Sequence, residues 1–238
     1  VSSSTKSKQY LYGDGIGYVE LISASGSDLM VVNAARVSFD SEKTEVDERD
    51  SKLIKYLYDN RHTSPFEHCY LTFRIKAPLC VVRHHQRHRT WSYNEVSRRY
   101  TSINLEFYLP SEFRGQHKSN RQASTSSTMD PVVYSLKGST QEWPKKASEE
   151  FKKHTRKSVR LYDALIEKGV CREQARMCLP QNMYVHYFAS ANLLNTIKFI
   201  ELRNKPEAQL ETQLLAQGIE DILTDLYPET MKAFKGKK

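Results

Sequence analysis

The chain has 238 residues, with 36 Lys and Arg against 28 Asp and Glu and a formal net charge of +8. That length can bury the core of one domain, and the basic balance favours anionic partners, either small phosphorylated ligands or nucleic acid. No apolar run approaches the ~18 residues of a membrane span, and Cys69, Cys80, Cys171 and Cys178 form no C-x-x-C pair, so a zinc or redox pair has no support.

Those cysteines read as reduced, mostly buried thiols of an intracellular, cytoplasmic protein. The opening VSSSTKSKQY has neither the apolar core of a signal peptide nor the arginines of a transit peptide, and residues 1–12 read as a flexible tail. Residues 16–23 predict a first strand after the turn-prone Gly13-Asp14-Gly15. Asp28 is placed to cap a helix running through Met30, Val31 and Ala34 toward Val37. Within residues 46–61, Leu53, Ile54, Leu57 and Tyr58 share one helical face. Pro65 blocks easy helix continuation, so the HTSPFEH string at residues 62–68 is a tight connection. In the strand expected over residues 69–76, Leu71, Phe73 and Ile75 alternate with Tyr70, Thr72 and Arg74.

Residues 83–100, RHHQRHRTWSYNEVSRRY, hold five arginines and three histidines with no lysine, glycine or proline. Pro78 suits the first turn of a helix reaching about Arg89. From Trp91 to Tyr100 the periodicity is lost, as in a ligand-lining loop. An arginine-only run suggests a folded anion site, because guanidinium forks grip phosphate or carboxylate bidentately and stack on planar rings. His84 and His88 also have a metal-ligand spacing, but no third ligand follows and the arginines repel a cation.

Residues 105–109 predict a strand ended by Pro110, and residues 114–130, rich in Ser, Thr, Asn and Gln, predict a mobile loop. Helices dominate after Tyr134. Residues 139–168 form one helix or two around Pro144, stopped by Gly169. A short helix spans residues 172–177, a long apolar helix residues 182–202, and a last helix residues 206–226. The KAFKGKK end predicts a frayed tail, with residues 235–238 a basic extension. On the long helix Asn192, Phe199 and Arg203 share one side, with Asn192 and Arg203 ~16 Å apart, the reach of an extended ligand. The structural alternative packs Asn192 against a helix and pairs Arg203 with Glu207 or Glu211.

Several of these strings are spaced as in one known family. Arg87-His88-Arg89, seven residues and Ser97 give RHR-x7-S; with Asn94-Glu95 and the trailing Arg99-Tyr100 the pattern resembles the signature of flavin-dependent thymidylate synthases. HTSPFEH resembles the family's H-x-x-P-F-E-H element. Ala35-Arg36-Val37-Ser38, Asn120-Arg121-Gln122-Ala123-Ser124, Arg176-x-x-Leu179-Pro180, Asn192, Leu202-Arg203 and Ala208-Gln209-x-Glu211 resemble further family segments. The resemblance implies an α+β fold, a mixed or antiparallel sheet flanked by helices with long C-terminal helices, in a single domain over residues 13–234. It implies reductive methylation of dUMP to dTMP, with methylenetetrahydrofolate as carbon donor and FAD, reduced by NADPH, as hydride carrier. It also implies a homotetramer with shared active sites.

By the same resemblance Arg203, His62 and Ser97 are the catalytic candidates. The dUMP contacts fall to His84, Arg87, Glu95, Ser97, Arg98, Arg99, Arg176 and Arg203. The flavin contacts fall to Ser64, Arg87, His88, Arg89, Glu95, Asn192 and Lys198; no metal is implied. A permanent cation at the uracil carbonyl stabilises the negative charge that develops as C5 becomes nucleophilic. Ser97 has no evident base-plus-orienter arrangement and reads as a binding and polarising group. Three positions depart from the pattern: His84 stands where many members have glutamine, Leu194 where many have arginine, and Lys198 where many have asparagine or histidine. A titratable His84 predicts dUMP affinity that weakens as pH rises. The competing readings are a nucleic-acid module, with Trp91 and Tyr93 stacking on bases, and a structural protein whose arginines build ion-pair networks.

Overall fold

The computed structural model describes residues 8–97, 105–133 and 145–236. In chain order the elements are β1 (Lys8–Tyr10), β2 (Tyr18–Ser25), α1 (Asp28–Arg36), α2 (Glu48–Asp59), β3 (Tyr70–Pro78), α3 (Leu79–His85), β4 (Ser92–Glu95), β5 (Phe113–Gln116), β6 (Ser124–Met129), β7 (Val132–Val133), β8 (Lys145–Lys146), α4 (Ala147–Glu167), α5 (Arg172–Ala175), β9 (Tyr184–Asn192), α6 (Leu193–Arg203), α7 (Leu210–Leu226) and α8 (Pro228–Lys235). The expected α+β class is what forms. Two compact units partition the chain, one drawn from residues 1–76, 83–95 and 186–238, the other from residues 77–82 and 96–185.

The first unit is organised on a sheet ordered β1-β2-β3-β9-β4, antiparallel at β1–β2, β2–β3 and β9–β4. In β3 the buried Leu71, Phe73 and Ile75 alternate with the more exposed Thr72, Arg74 and Lys76, the period of two that the sequence predicts. The core also contains Val31, Val32, Ile54, Phe199, Ile200, Leu215, Ile219 and Leu223 from α1, α2, α6 and α7. Helix α7 lies so close to the N-terminal strands that a Cβ at Gly218 would sit 2.8 Å from Leu11 Cδ2 and 2.9 Å from Val19 Cγ1. A side chain there would have to displace both Leu11 and Val19.

Helix α2 starts at a reciprocal capping box. The Asp47 carboxylate accepts the Arg49 and Asp50 N–H groups at 2.8 and 3.0 Å, and Asp50 accepts the Asp47 N–H at 3.1 Å. Asp50 is fully buried and also takes Arg36 and Lys43, each at 2.7 Å.

Several expected elements differ. The long apolar helix over residues 182–202 is instead strand β9 followed by helix α6. Tyr184, Val185, Tyr187 and Phe188 are β-favouring, and burial alternates from Val185 to Ala191. Asn192 then caps α6 by accepting the Asn195 N–H at 2.9 Å. Asn192 therefore marks the N-cap of α6 and Arg203 its last residue, so Asn192 belongs to the strand end and not to the helix interior. Helix α3 stops at His85, short of Arg89, and the expected ligand-lining loop contains β4, with Tyr93 opposite Ala189. Residues 8–10, within the expected tail, form β1. Residues 232–235 of the expected frayed end instead complete α8, where Ala233 and Phe234 are buried. Asp28 was expected to cap its own helix. Its carboxylate instead accepts the Glu229 and Thr230 N–H groups at 2.8 and 3.1 Å and the Thr230 hydroxyl at 2.6 Å, capping α8.

In the second unit, Thr155, Ser158 and Tyr162 form the buried stripe of α4, which starts at Ala147. Pro144 and the expected break there lie outside the described residues. Helix α5 and a 3-10 turn over Arg176–Cys178 pack on α4. The supposed mobile loop at residues 114–130 contains most of a β5–β6 hairpin. Its Thr and Ser residues serve as strand residues, which composition alone does not distinguish from loop. The strand expected over residues 105–109 reduces to a single bridge, Phe107 to Met183. Asn182 fixes that crossing by donating to the Tyr108 carbonyl at 2.8 Å. Of the thiols, Cys69 is buried, Cys80 and Cys178 are half-buried and Cys171 is exposed, fewer buried than expected. Among the described residues no helix is long and apolar enough to cross a membrane.

Candidate active site

The site is built where α3 ends. His85 is fully buried in the first unit, its Nδ1 3.0 Å from the Tyr187 hydroxyl on β9. Trp91 and Phe199 wall its ring, each with centroids at 4.5 Å. From that anchor the backbone makes two linked turns, His88 N–H to His85 O at 2.9 Å and Trp91 N–H to His88 O at 3.3 Å. Strand β4 follows. Its Tyr93 hydroxyl reaches back to the His85 carbonyl at 2.6 Å and the His88 carbonyl at 3.2 Å.

Arg203, the last residue of α6, lies against this turn. Its Nε donates to His88 Nε2 at 3.1 Å and its Nη2 to the His84 carbonyl at 3.3 Å. To accept, His88 must be neutral with its proton on Nδ1. Burial, and then the Arg203 charge, push His88 down to about 4. The same two causes, in the same order, lower His84. His85 goes well below its ordinary value through burial, then through His88 and Arg203. Burial and then the neighbouring Arg87 charge lower Arg203 itself.

His84 Nδ1 meets the Thr212 hydroxyl of α7 at 3.1 Å. Half-buried beside Arg203, the ring titrates below its ordinary value, so any weakening of dUMP affinity as pH rises through that titration shifts to lower pH.

Arg83, Arg87 and Arg89 are exposed and, among the described residues, have no carboxylate or hydrogen-bond partner. Glu95 is exposed on β4, with Gln86 Nε2 3.5 Å from its Oε2. His62 is exposed and edge-on to Tyr56, at 5.9 Å between centroids. Ser64 opens the 3-10 turn Ser64–His68, which packs on α1 and α6. The Leu193 N–H donates to Cys69 O at 2.8 Å and draws Asn192 to the end of that turn. Lys198 is exposed on α6.

The structure therefore joins His84, His88, Arg87 and Arg203 in one cluster, and sets Asn192 beside the turn that carries Ser64. Ser97, half-buried, and Arg176, exposed at the head of its 3-10 turn, belong to the second unit. Arg98 and Arg99 lie outside the described residues. Sequence reasoning missed Thr212, Tyr93, Tyr187 and His85 as parts of the cluster. The alternation in β9 was the available signal for Tyr187; for Thr212, inside a regular helix, there was none.

An α+β frame carrying exposed guanidinium groups, with one half-buried arginine held by neutral acceptors, suits an anionic ligand. The family model described as "Thymidylate synthase complementing protein" matches residues 20–229. A flavin-dependent thymidylate synthase of Thermus thermophilus is 40% identical over 219 residues, covering 92% of this chain and 76% of the relative. That of Thermotoga neapolitana is 38% identical over 218 residues, covering 92% and 90%. The crystal structure of a UMP/dUMP methylase, PolB, from Streptomyces cacaoi bound with 5-Br dUMP is similar with a TM-score of 0.76 at 32% identity, covering 92% of this chain and 94% of that one. The chain belongs to the thymidylate synthase complementing protein family, that of the flavin-dependent thymidylate synthases.

Proposed function

We propose that the protein methylates dUMP reductively to dTMP, with 5,10-methylenetetrahydrofolate as carbon donor, FAD as the flavin and NADPH as reductant. The observation that carries this reading is Arg203: a half-buried cation that meets only a neutral imidazole and a backbone carbonyl among the described residues. Its charge remains for a ligand. Placed at the uracil carbonyl, it stabilises the negative charge that grows as C5 becomes nucleophilic, and an arginine stays protonated at any working pH.

The residues fit a flavin nucleotide by their donor set. Arg87 and Arg89 flank His88, are exposed, and have no acidic partner among the described residues, which suits a diphosphate. Arg87, His88, Arg89 and Glu95 would hold the flavin together with Ser64, Asn192 and Lys198; when bound, the flavin supplies the hydride. On the substrate side, Arg87 and Glu95 would lie between nucleotide and cofactor. Arg98, Arg99, Arg176 and the Ser97 hydroxyl would take phosphate and sugar, His84 would border the nucleotide, and His62 would stand beside the flavin. We extend the proposal to a single family domain over residues 13–234, a homotetramer with shared sites, and a cytoplasmic location.

Anaerobic turnover of dUMP, methylenetetrahydrofolate, NADPH and FAD, assayed for dTMP, tests the reading. Product is expected from the parent and severe loss from Arg203→Ala. A parent protein that binds no flavin and yields no dTMP overturns it. Running UMP in parallel asks whether the nucleotide choice is as broad as in the Streptomyces cacaoi methylase.

A further inference from the structure

We propose that Tyr93 is the positioning residue for Arg203: its hydroxyl locks the turn whose two acceptors aim the guanidinium. The inference rests on the catalytic role given to Arg203 above. Both acceptors of Arg203, the His84 carbonyl and His88 Nε2, come from the segment that closes α3, and nothing in α6 itself orients the guanidinium among the described residues. The aim of Arg203 is therefore set by how firmly that segment is held.

One phenol holds it. The single Tyr93 hydroxyl proton is shared between the His85 carbonyl at 2.6 Å and the His88 carbonyl at 3.2 Å, the first and last carbonyls of the turn carrying His88. Each carbonyl already accepts a backbone N–H, from His88 and Trp91 respectively. The phenol thus occupies a second lone pair on each, and its removal leaves neither carbonyl unsatisfied.

Tyr93 is itself packed in place. It sits in β4 opposite Ala189, and its ring packs on His85 at 5.2 Å and Tyr187 at 6.4 Å. Phe199, one helical turn before Arg203, meets the His88 ring edge-on at 5.0 Å, so turn and helix interlock. Loss of the hydroxyl frees the turn to rotate while the apolar packing persists. A shift on the ångström scale at a catalytic group costs up to about 100-fold in rate.

The test compares Tyr93→Phe with Tyr227→Phe. Tyr227 is fully buried where Tyr93 is half-buried, and its hydroxyl donates to the Ser25 carbonyl at 3.2 Å, outside the cluster. Both variants are expected to lose about 1 kcal/mol of stability. Only Tyr93→Phe is expected to lose kcat, by about 10- to 100-fold, with the KM for dUMP within about threefold. A second readout needs no turnover. In ligand-free protein the His88 ring, which faces Arg203, Arg87, His85 and Phe199, is followed by NMR against pH. Its midpoint is expected to rise toward the ordinary histidine value in Tyr93→Phe and to stay in Tyr227→Phe. If Arg203→Ala abolishes dTMP formation while Tyr93→Phe leaves both kcat and the His88 midpoint unchanged, the positioning role is wrong. If Arg203→Ala leaves turnover intact, the catalytic assignment falls, and the His88 midpoint alone then decides whether Tyr93 governs the turn.

Discussion

Two arginines in the first unit are held in opposite ways. Arg36 donates to the fully buried Asp50 at 2.7 Å, and Lys43 donates to the same carboxylate at 2.7 Å. Arg203 donates to an imidazole and a peptide carbonyl, neither of them charged. The first arrangement closes its charge inside the fold; the second fixes a cation in space and leaves its field for a ligand. Partner chemistry, more than burial, separates the two arginines, since both side chains are partly exposed.

Asp50→Ala probes the closed arrangement and should have the largest effect. It strands Arg36 and Lys43 beside a buried void and removes half of the α2 capping box, so about 3–5 kcal/mol of stability is expected to be lost. Denaturant midpoints measure this, and kcat per folded molecule should persist. Arg203→Ala probes the open arrangement. Its dTMP turnover is expected to fall about 10²- to 10³-fold, while stability changes by no more than about 1 kcal/mol, because its partners are neutral. If Arg203→Ala unfolds the protein or Asp50→Ala kills a folded enzyme, the contrast fails.

Acid sharpens the comparison further. His84, His85 and His88 are held neutral in the fold, with His88 pushed to about 4 by burial and then Arg203. The unfolded chain takes up those protons near 6.5, so stability is complete above that pH and declines as pH falls toward 4. Because His88 is half-exposed, its share is discounted to roughly 1–2 kcal/mol. Burial alone would raise Asp50, but the Lys43 hydrogen bond and its other partners lower it on balance. Its contribution is present above the ordinary carboxylate value and is lost at still lower pH. Two acid phases are therefore expected in the denaturation midpoint, and Asp50→Ala should erase only the lower. A midpoint flat from pH 7 to about 4.5 would contradict the histidine phase.

The strings proposed to form the site stand out in the sequence because they are local. Arg87, His88, Arg89 and Arg203 could be singled out by residue type and spacing, and the α+β class by alternating patterns such as that of β3. What stayed hidden depends on distant pairing. Residues 184–191 carry a pattern short enough to continue an apolar helix, and β9 becomes a strand only because β3 and β4 lie on either side. The Arg114 stretch reads as loop by composition, yet pairs as a hairpin. The sequence sets aside a metal at His84 and His88 but does not show their geometry: α3 ends between them and Arg203 donates to His88 Nε2.

Asp28 offers the smallest and most specific test, because sequence and structure assign it to different helices. Its carboxylate reaches 201 residues along the chain to the Glu229 N–H and there caps α8, where a negative charge faces the positive end of the helix dipole. Burial nevertheless raises its pKa, outweighing the hydrogen bonds from Thr230 and Glu229. A carboxyl raised in the fold favours the protonated form, so its contribution is greatest below the unfolded value and diminishes as pH rises through the folded one. Asp28→Asn keeps one oxygen to accept from Thr230 and forgoes only the bond to the Glu229 N–H, together with the charge. Its expected cost at pH 7 is therefore about 1 kcal/mol or less, against about 1–2 kcal/mol for Asp28→Ala, which loses the cap altogether. Amide exchange at Glu229 and Thr230 localises the effect: both should exchange faster in Asp28→Ala, and chiefly Glu229 in Asp28→Asn. Equal protection at both amides in all three proteins would mean that α8 is held by its buried Met231 and Phe234 alone and that the carboxylate merely tolerates its position.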